Sequence, residues 1–146
     1  MPTVLGRPYS TGWLGSPPHM LREDVPIWQK FLAKYGNFYP GVYYDVAVGG
    51  PFLTTEELTD PLKRMWQYNN SKRIDAVIRL PNEVMIIEVS TTPGLRAIGQ
   101  LMTYVVLWQQ DDPWQLLEKP YLICEHMDKD LITAASMYGI QVIVMP

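Results

Sequence analysis

Two acidic residues on neighbouring predicted strands are the best placed residues of this sequence for chemistry. If Pro81 and Asn82 form the turn of a β-hairpin, the alternation of side chains along the strands places Asp75 opposite Glu88 on one face of the sheet. Directly opposed positions lie roughly 5 Å apart, so that two carboxylates there repel each other. Mg²⁺ is typically held by one or two carboxylates together with water and substrate phosphate oxygens, so a divalent cation is one candidate for a ligand between these two acids.

The repulsion between these carboxylates has three possible remedies at the level of sequence. A divalent cation could lie between them, or Arg73, which precedes Asp75 on the same face, could neutralise them. Alternatively, a longer turn would shift Asp75 away from Glu88, because Pro-Asn is a poor type I′ pair. Glu88 follows the apolar run 84–87, which is typical of a strand buried on both faces. A carboxylate there is costly unless it is paired or bound to metal, which favours Glu88 as a site residue.

The segment after the hairpin predicts a helix with three polar residues on one stripe. Arg96, Gln100 and Tyr104 are spaced by four positions, so they lie on the same helical face and could look onto the hairpin. On spacing alone, a hydrogen-bonded pair inside a helix interface is the preferred interpretation of Gln100 and Tyr104. The position of Gln100 and Tyr104 directly after Asp75 and Glu88 is what favours a functional interpretation.

Taken together, these residues resemble the PD-(D/E)xK nuclease superfamily. In its RecB-like branch a D…ExK hairpin is followed by a QxxxY helix, and the similarity covers about half of this chain. The resemblance implies that Asp75 and Glu88 hold Mg²⁺ and that Gln100 and Tyr104 steady the site and the nucleic acid. It also implies an αβββαβ core of the restriction-endonuclease kind.

The sequence departs from this family at Ser90, which stands where the ExK motif has lysine. A serine hydroxyl cannot supply the missing positive charge, so the resemblance predicts weak or absent hydrolysis. Arg96 or Arg73 could compensate, although an arginine stays protonated and suits a phosphate clamp better than a base. Residues expected to contact the nucleic acid are Lys72, Arg73, Gln100 and Tyr104.

Four further polar residues are candidates for the site. An acidic residue on the first helix sometimes joins the metal site in related nucleases, and Glu23 is the candidate, with an ordinary charged residue near the helix start as the preferred interpretation. Asp45 is preferred as an outward-facing residue of an edge strand over a third metal ligand. His19 and His126 are preferred as surface or capping residues.

Composition limits the class of protein. The chain has 146 residues, 47% apolar and 18% charged, which predicts an ordered domain of ordinary size. Its net charge of −3 counts against a free-standing nuclease, because phosphate neutralisation supplies most non-specific affinity for DNA. Lys63, Arg64, Lys72 and Arg73 cluster in sequence, although a solvated helix end is preferred over a phosphate track.

The lone Cys124 excludes a disulfide framework and favours a reducing compartment. No apolar run is long enough to span a membrane, so we expect a cytoplasmic or virion protein.

Residues 1–24 contain four prolines and three glycines and predict an extended arm before a domain at 25–146. The arm carries large apolar side chains, notably Tyr9, Trp13 and Leu14, which need a surface to lie on. That surface could be the domain itself or a neighbouring subunit. The second is slightly favoured, which predicts an oligomer or a place in an assembly.

The remaining elements indicate an α/β protein in which helices flank a mixed central sheet. Asp24 is expected to cap the first helix, and Leu62, Met65 and Trp66 are expected to pack inward from a helical segment broken at Asp60-Pro61. The predicted helices are 26–36, 55–68, 93–110 and 129–138, the strands are 41–48, 73–79, 83–89, 121–124 and 140–145, and 114–119 is a linker or a turn of helix. The final helix and strand extend the core that the resemblance implies.

Three functional hypotheses follow. The leading one is a PD-(D/E)xK nuclease-like protein that acts on or sits beside DNA, with a degenerate metal site. The second, of another class, is a structural or adaptor subunit, for example of a phage head, neck or head-tail connector or another DNA-packaging particle. The third is an active Mg²⁺-dependent nuclease in which Arg96 or Arg73 replaces the lysine. Enzymatic activity is therefore left open, with inactivity favoured.

Overall fold

A computed structural model describes residues 2–146 as a five-stranded mixed sheet with four α-helices, which confirms the predicted α/β class. The sheet order is β1-β2-β3-β4-β5; β1, β2 and β3 are antiparallel neighbours, and β3, β4 and β5 run parallel. The strands are β1 Tyr43–Val48, β2 Lys72–Arg79, β3 Glu83–Ser90, β4 Leu117–Cys124 and β5 Gln141–Val144. The helices are α1 Val25–Tyr35, α2 Pro61–Asn69, α3 Leu95–Asp111 and α4 Lys129–Met137, with short 3-10 turns at Gly36–Phe38 and Glu57–Thr59. None of the helices in residues 2–146 has the length and apolarity needed to cross a membrane.

The β2–β3 hairpin has the predicted register. Ala76 lies opposite Ile87 and Val77 opposite Ile86, and the backbone N–H of Leu80 donates to the carbonyl of Glu83 across the turn (2.8 Å). The pairing ends at Ala76 and Ile87, one residue before Asp75 and Glu88, and there the Asp75 side chain accepts from the backbone N–H of Val89. The turn is therefore short enough to bring the two acids together.

The sheet is covered on both faces, which explains the apolar run of β3. Trp28 and Phe31 of α1 are buried against one face, and Leu101 and Trp108 of α3 are buried against the other. Residues of β3 alternate between the two cores: Val84 and Ile86 face α3, whereas Met85, Ile87 and Val89 face α1. By the same alternation Glu88 belongs to the α3 face, so the predicted helix stripe and the acid pair lie on the same side.

The inward packing predicted for α2 is wrong. Leu62, Met65 and Trp66 are 74%, 59% and 50% exposed. Their spacing gives one apolar face to the helix, but no other element of the described chain covers that face. Only Gln67 of α2 is buried, and its side-chain amide donates to the Pro51 carbonyl (2.9 Å).

The segment predicted as a linker before residue 120 belongs in part to the sheet. Leu117, Glu118 and Lys119 pair in parallel with the first residues of β3, so β4 starts earlier than its apolar run indicates. Lys119 Nζ also lies 2.8 Å from Glu83 Oε2. Backbone hydrogen bonds to a neighbouring strand therefore fix this polar segment.

The N-terminal arm lies on its own domain. Val4 and Tyr9 form antiparallel bridges with Ala47 and Val42 at the free edge of β1. The Tyr9 ring packs between those of Trp13 and Tyr44, with ring centroids 4.7 and 5.2 Å away. The arm thus finds apolar contacts within the chain, and a neighbouring subunit is not required to cover Tyr9.

Candidate functional site

The two acids of the hairpin form a contacting pair between β2 and β3. The carboxyl groups of Asp75 and Glu88 are close enough for one of them, when protonated, to donate a hydrogen bond to the other. Asp75 Oδ2 also accepts from the backbone N–H of Val89 (2.9 Å). Glu88 Oε2 is buried and has no hydrogen-bond partner among the described residues. One carboxyl oxygen of the pair is therefore left without the partner that a buried polar atom needs.

Burial raises the pKa of both carboxyls. For Asp75 the N–H of Val89 and the bond to Glu88 offset part of the increase. For Glu88 the nearby charge of Asp75 and the hydrogen bond to it raise the pKa further. A proton consequently stays on the pair at pH values at which an exposed glutamate has lost it.

Asp24 is a third carboxylate of this region, and its role differs from the predicted helix cap. Its side chain makes no capping bond; Asp24 Oδ1 instead accepts from the backbone N–H and the hydroxyl of Thr91, each at 3.0 Å. Its charge raises the pKa of both Asp75 and Glu88. Glu23, the acid considered from the sequence, is exposed. Asp24 thus ties the start of α1 to the end of β3 and adds negative charge near the pair.

The predicted helix stripe does face the acid pair. A cavity of about 380 Å³ is lined by Glu88, Ser90, Arg96 and Gln100, together with Asp24 and the start of α3. Tyr104 lies deeper, 8% exposed. Burial and the charges of Glu88 and Asp75 raise its pKa, which shows that its hydroxyl is near the pair. Ser90, in the position of the family's lysine, opens into the same cavity.

Arg73 does not neutralise the acid pair. Its Nη1 lies 2.9 Å from Asp45 Oδ2, and its guanidinium carbon lies 3.4 Å from the centre of the Tyr68 ring. The Asp45 side chain is only 8% exposed, so its predicted outward orientation is wrong. Asp45 has a positive φ of 49°, which interrupts the regular alternation of β1. The neighbouring Lys72 is exposed.

A second cavity, of about 410 Å³, lies on the other side of the pair. Its lining includes Asp75, Arg73 and Ser71. His19 also borders it, with Nε2 3.5 Å from Asp45 Oδ2, although the side chain is exposed as predicted. His126 is exposed at the end of β4 and lines neither cavity. Each cavity therefore borders one acid of the pair: the first reaches Glu88 and the second reaches Asp75.

Replacing Arg73 with methionine is expected to destabilise the protein by on the order of 1 to 3 kcal/mol, because the buried Asp45 carboxylate loses its strongest hydrogen-bond donor. Urea unfolding at neutral pH measures the change. Lys72→Met is the matched control, since Lys72 is adjacent and exposed. Equal stability of the two variants would contradict the structural role of the Arg73–Asp45 pair.

Two carboxylates are enough protein ligands to bind Mg²⁺. Among residues 2–146 no group of three or more His, Cys, Asp or Glu side chains is placed to hold a metal ion. Mg²⁺, however, is commonly bound by one or two carboxylates with water and substrate phosphate oxygens as its other ligands. Asp75 and Glu88 fit that donor set, and the buried Glu88 Oε2 without a partner is an available ligand atom.

Comparison with known proteins gives no relative: no protein-family model, no curated protein and no solved structure matches the chain. The resemblance to PD-(D/E)xK nucleases therefore rests on the motif residues and on the order of the elements.

Proposed function

We propose that this chain is a PD-(D/E)xK nuclease-like protein that acts on or beside DNA, binds a divalent cation at Asp75 and Glu88, and hydrolyses DNA weakly or not at all. The observation that carries the proposal is the buried, contacting acid pair with one unpartnered oxygen. Among the described residues, burial and neighbouring carboxyl groups are the main causes that raise the pKa of the two acids, and no basic side chain is among the main causes that lower it. A bound cation is the simplest way to offset the cost of ionising both.

The residues around the pair have distinct roles in this proposal. Asp75 and Glu88 would hold Mg²⁺, which when bound polarises a phosphoryl oxygen and lowers the pKa of bound water. Arg96 opens into the same cavity and would attract a DNA phosphate. Gln100 would hydrogen-bond to the nucleic acid or to the hydration shell of the ion. Tyr104, which is buried, would support the position of Glu88.

Weak turnover follows from the side chains available for proton transfer. Ser90 carries no positive charge, and Arg73 is engaged by Asp45 at 2.9 Å, so it is not free to replace the lysine. Arg96 is exposed and stays protonated, which suits it to bind phosphate but not to accept a proton. The site therefore has side chains that can bind a cation and a phosphate, but it lacks a side chain that can take the role of the catalytic lysine.

Calorimetric titration with Mg²⁺ and with Mn²⁺ tests the cation site. Binding at millimolar or lower concentration is expected for the unaltered protein, and Glu88→Gln and Asp75→Asn should each abolish it, because each removes an anionic ligand. Glu125→Gln, which removes an exposed carboxylate at the end of β4, should leave it unchanged. A titration without heat of binding for the unaltered protein would overturn the proposal.

The adaptor hypothesis has less support than the nuclease-like one. It was motivated by an aromatic arm that needed a surface, and Tyr9 and Trp13 find one at Tyr44 of the same chain. A place in the cytoplasm or in a virion remains part of the proposal, since both are compatible with a DNA-associated protein.

A further inference from the structure

One helix exposes a surface that neither the core nor the acid pair uses. The α2 surface, as we define it, consists of Leu62, Lys63, Met65 and Trp66 of α2 together with Lys72 at the start of β2. Its apolar members are at least half exposed. Lys63 Nζ lies 5.6 Å from the centre of the Trp66 ring, so a cation stands beside the exposed indole.

The charge of this surface is opposite to that of the whole chain. Residues 61–73 include four of the 12 lysines and arginines and no aspartate or glutamate, although the chain has a net charge of −3. Among the described residues Lys72 forms no salt bridge, and Lys63 has only a long contact with Glu57 at 3.9 Å. The α2 surface therefore combines apolar and aromatic area with cations available to an anionic partner.

The end of α2 borders the cavity that contains Asp75. Asn69 at the end of α2 and Ser71 in the following turn line the same cavity as Asp75. The Tyr68 hydroxyl donates to Asp45 Oδ2 at 3.3 Å, which fixes the end of the helix against β1. A chain-like ligand lying on α2 would continue into this cavity.

We propose that the α2 surface binds single-stranded nucleic acid, with a base stacked on Trp66 and phosphates at Lys63 and Lys72. An exposed indole can stack only on a base whose face is free, and paired bases in a duplex hide their faces. The cationic side chains of this surface would attract the backbone phosphates of the same strand. That the strand then reaches a cation at Asp75 and Glu88 rests on the function proposed above, whereas binding to α2 does not.

Fluorescence anisotropy of a labelled oligothymidylate in EDTA tests this binding without any metal. The unaltered protein should bind it, and Trp66→Ala should bind about tenfold more weakly because a stacked base is lost. Lys63→Gln and Lys72→Gln should each lower the slope of log affinity against log salt by about 0.7. Phe38→Ala and Lys34→Gln, at exposed positions of α1 and the turn after it, are the matched controls and should change neither quantity.

Three results would overturn the inference: equal affinity of Trp66→Ala and the unaltered protein, tighter binding of duplex than of single strand, or self-association that Trp66→Ala abolishes without any oligonucleotide binding. The two proposals fail separately. Oligonucleotide binding in EDTA by a protein that takes up no metal counts against the cation site alone. Metal uptake lost in Glu88→Gln, without oligonucleotide binding, counts against the α2 surface alone.

Discussion

Replacing Glu88 with glutamine is expected to stabilise the metal-free protein by at least about 2 kcal/mol at pH 8, since the folded protein no longer has to keep a proton on a buried acid. Burial and the charge of Asp75 raise the pKa of Glu88 in the folded state above the usual glutamate value of about 4.5. Between the two pKa values the folded state holds more protons than the unfolded state, so stability falls as the pH rises. The stabilisation that protonated Glu88 gives to the folded protein is fully present below about pH 4.5. It is lost progressively above that pH, by up to about 1.4 kcal/mol for each pH unit.

Urea unfolding at pH 5 and at pH 8 measures this effect. The glutamine amide keeps a hydrogen bond to Asp75 but does not titrate, so the advantage of the variant should be small at pH 5 and large at pH 8. Glu125→Gln, at an exposed position, should follow the unaltered protein. The same change in stability with pH in Glu88→Gln and in the unaltered protein would show that Glu88 is not a costly buried acid.

Added Mn²⁺ should narrow the difference at pH 8. A ligand that binds only the folded state stabilises it by RT ln(1 + [L]/Kd), and this gain requires the ionised pair of the unaltered protein. The glutamine variant should gain little. A smaller difference in stability with Mn²⁺ would therefore indicate that the cation binds the acid pair and offsets the free-energy cost of burying it.

Replacing Ser90 with lysine is expected to produce Mg²⁺-dependent cleavage of single-stranded DNA at least about 100-fold above that of the unaltered protein. Ser90 lines the cavity that Glu88, Arg96 and Gln100 share, so a longer side chain at this position would enter it. The ammonium group would restore the positive charge that the resembled family has there. It would also lower the pKa of Glu88 by attraction, which favours the ionised pair.

Cleavage is measured on a labelled oligonucleotide with Mg²⁺ and with EDTA. Ser90→Met, which has a side chain of similar length without charge, should remain inactive, and the double variant Ser90→Lys with Asp75→Asn should lose the gained activity. Inactive Ser90→Lys that still binds metal would show that the missing lysine is not what limits hydrolysis. Ready cleavage by the unaltered protein would support the third hypothesis, in which Arg96 acts in place of lysine.

The parts of the fold that depend on local rules were predictable from the sequence. The register of β2 and β3 follows from a short turn at Pro81 and Asn82 and from side-chain alternation, both of which involve few residues. The burial of β3 follows from its continuous apolar run. The orientation of α3 toward Glu88 follows from the four-residue spacing of its stripe, since the core residues Leu101, Val105 and Trp108 set which face turns inward.

The errors arise where the outcome depends on residues distant in sequence. Asp24 has the pattern of a helix cap, yet Thr91, 67 positions away, provides its donors. Arg73 is near Asp75 in sequence, but the strand pairing brings Asp45 closer to its guanidinium. Helical periodicity gave α2 an apolar face without indicating whether another element would meet it. In each case, the outcome depends on which distant residues the tertiary structure brings near. The composition and spacing of the local sequence do not show this.

The two bridges between the arm and β1 also protect the protein from aggregation. A bare edge strand offers unpaired N–H and C=O groups that can recruit a strand of another molecule and extend the sheet into a polymer. The backbones of Val4 and Tyr9 occupy these groups at Ala47 and Val42. A protein clipped by a protease after Tyr9 would therefore keep both of its acids and its helices but would be prone to edge-to-edge association, and storage conditions that favour such clipping would be expected to turn a clear solution cloudy.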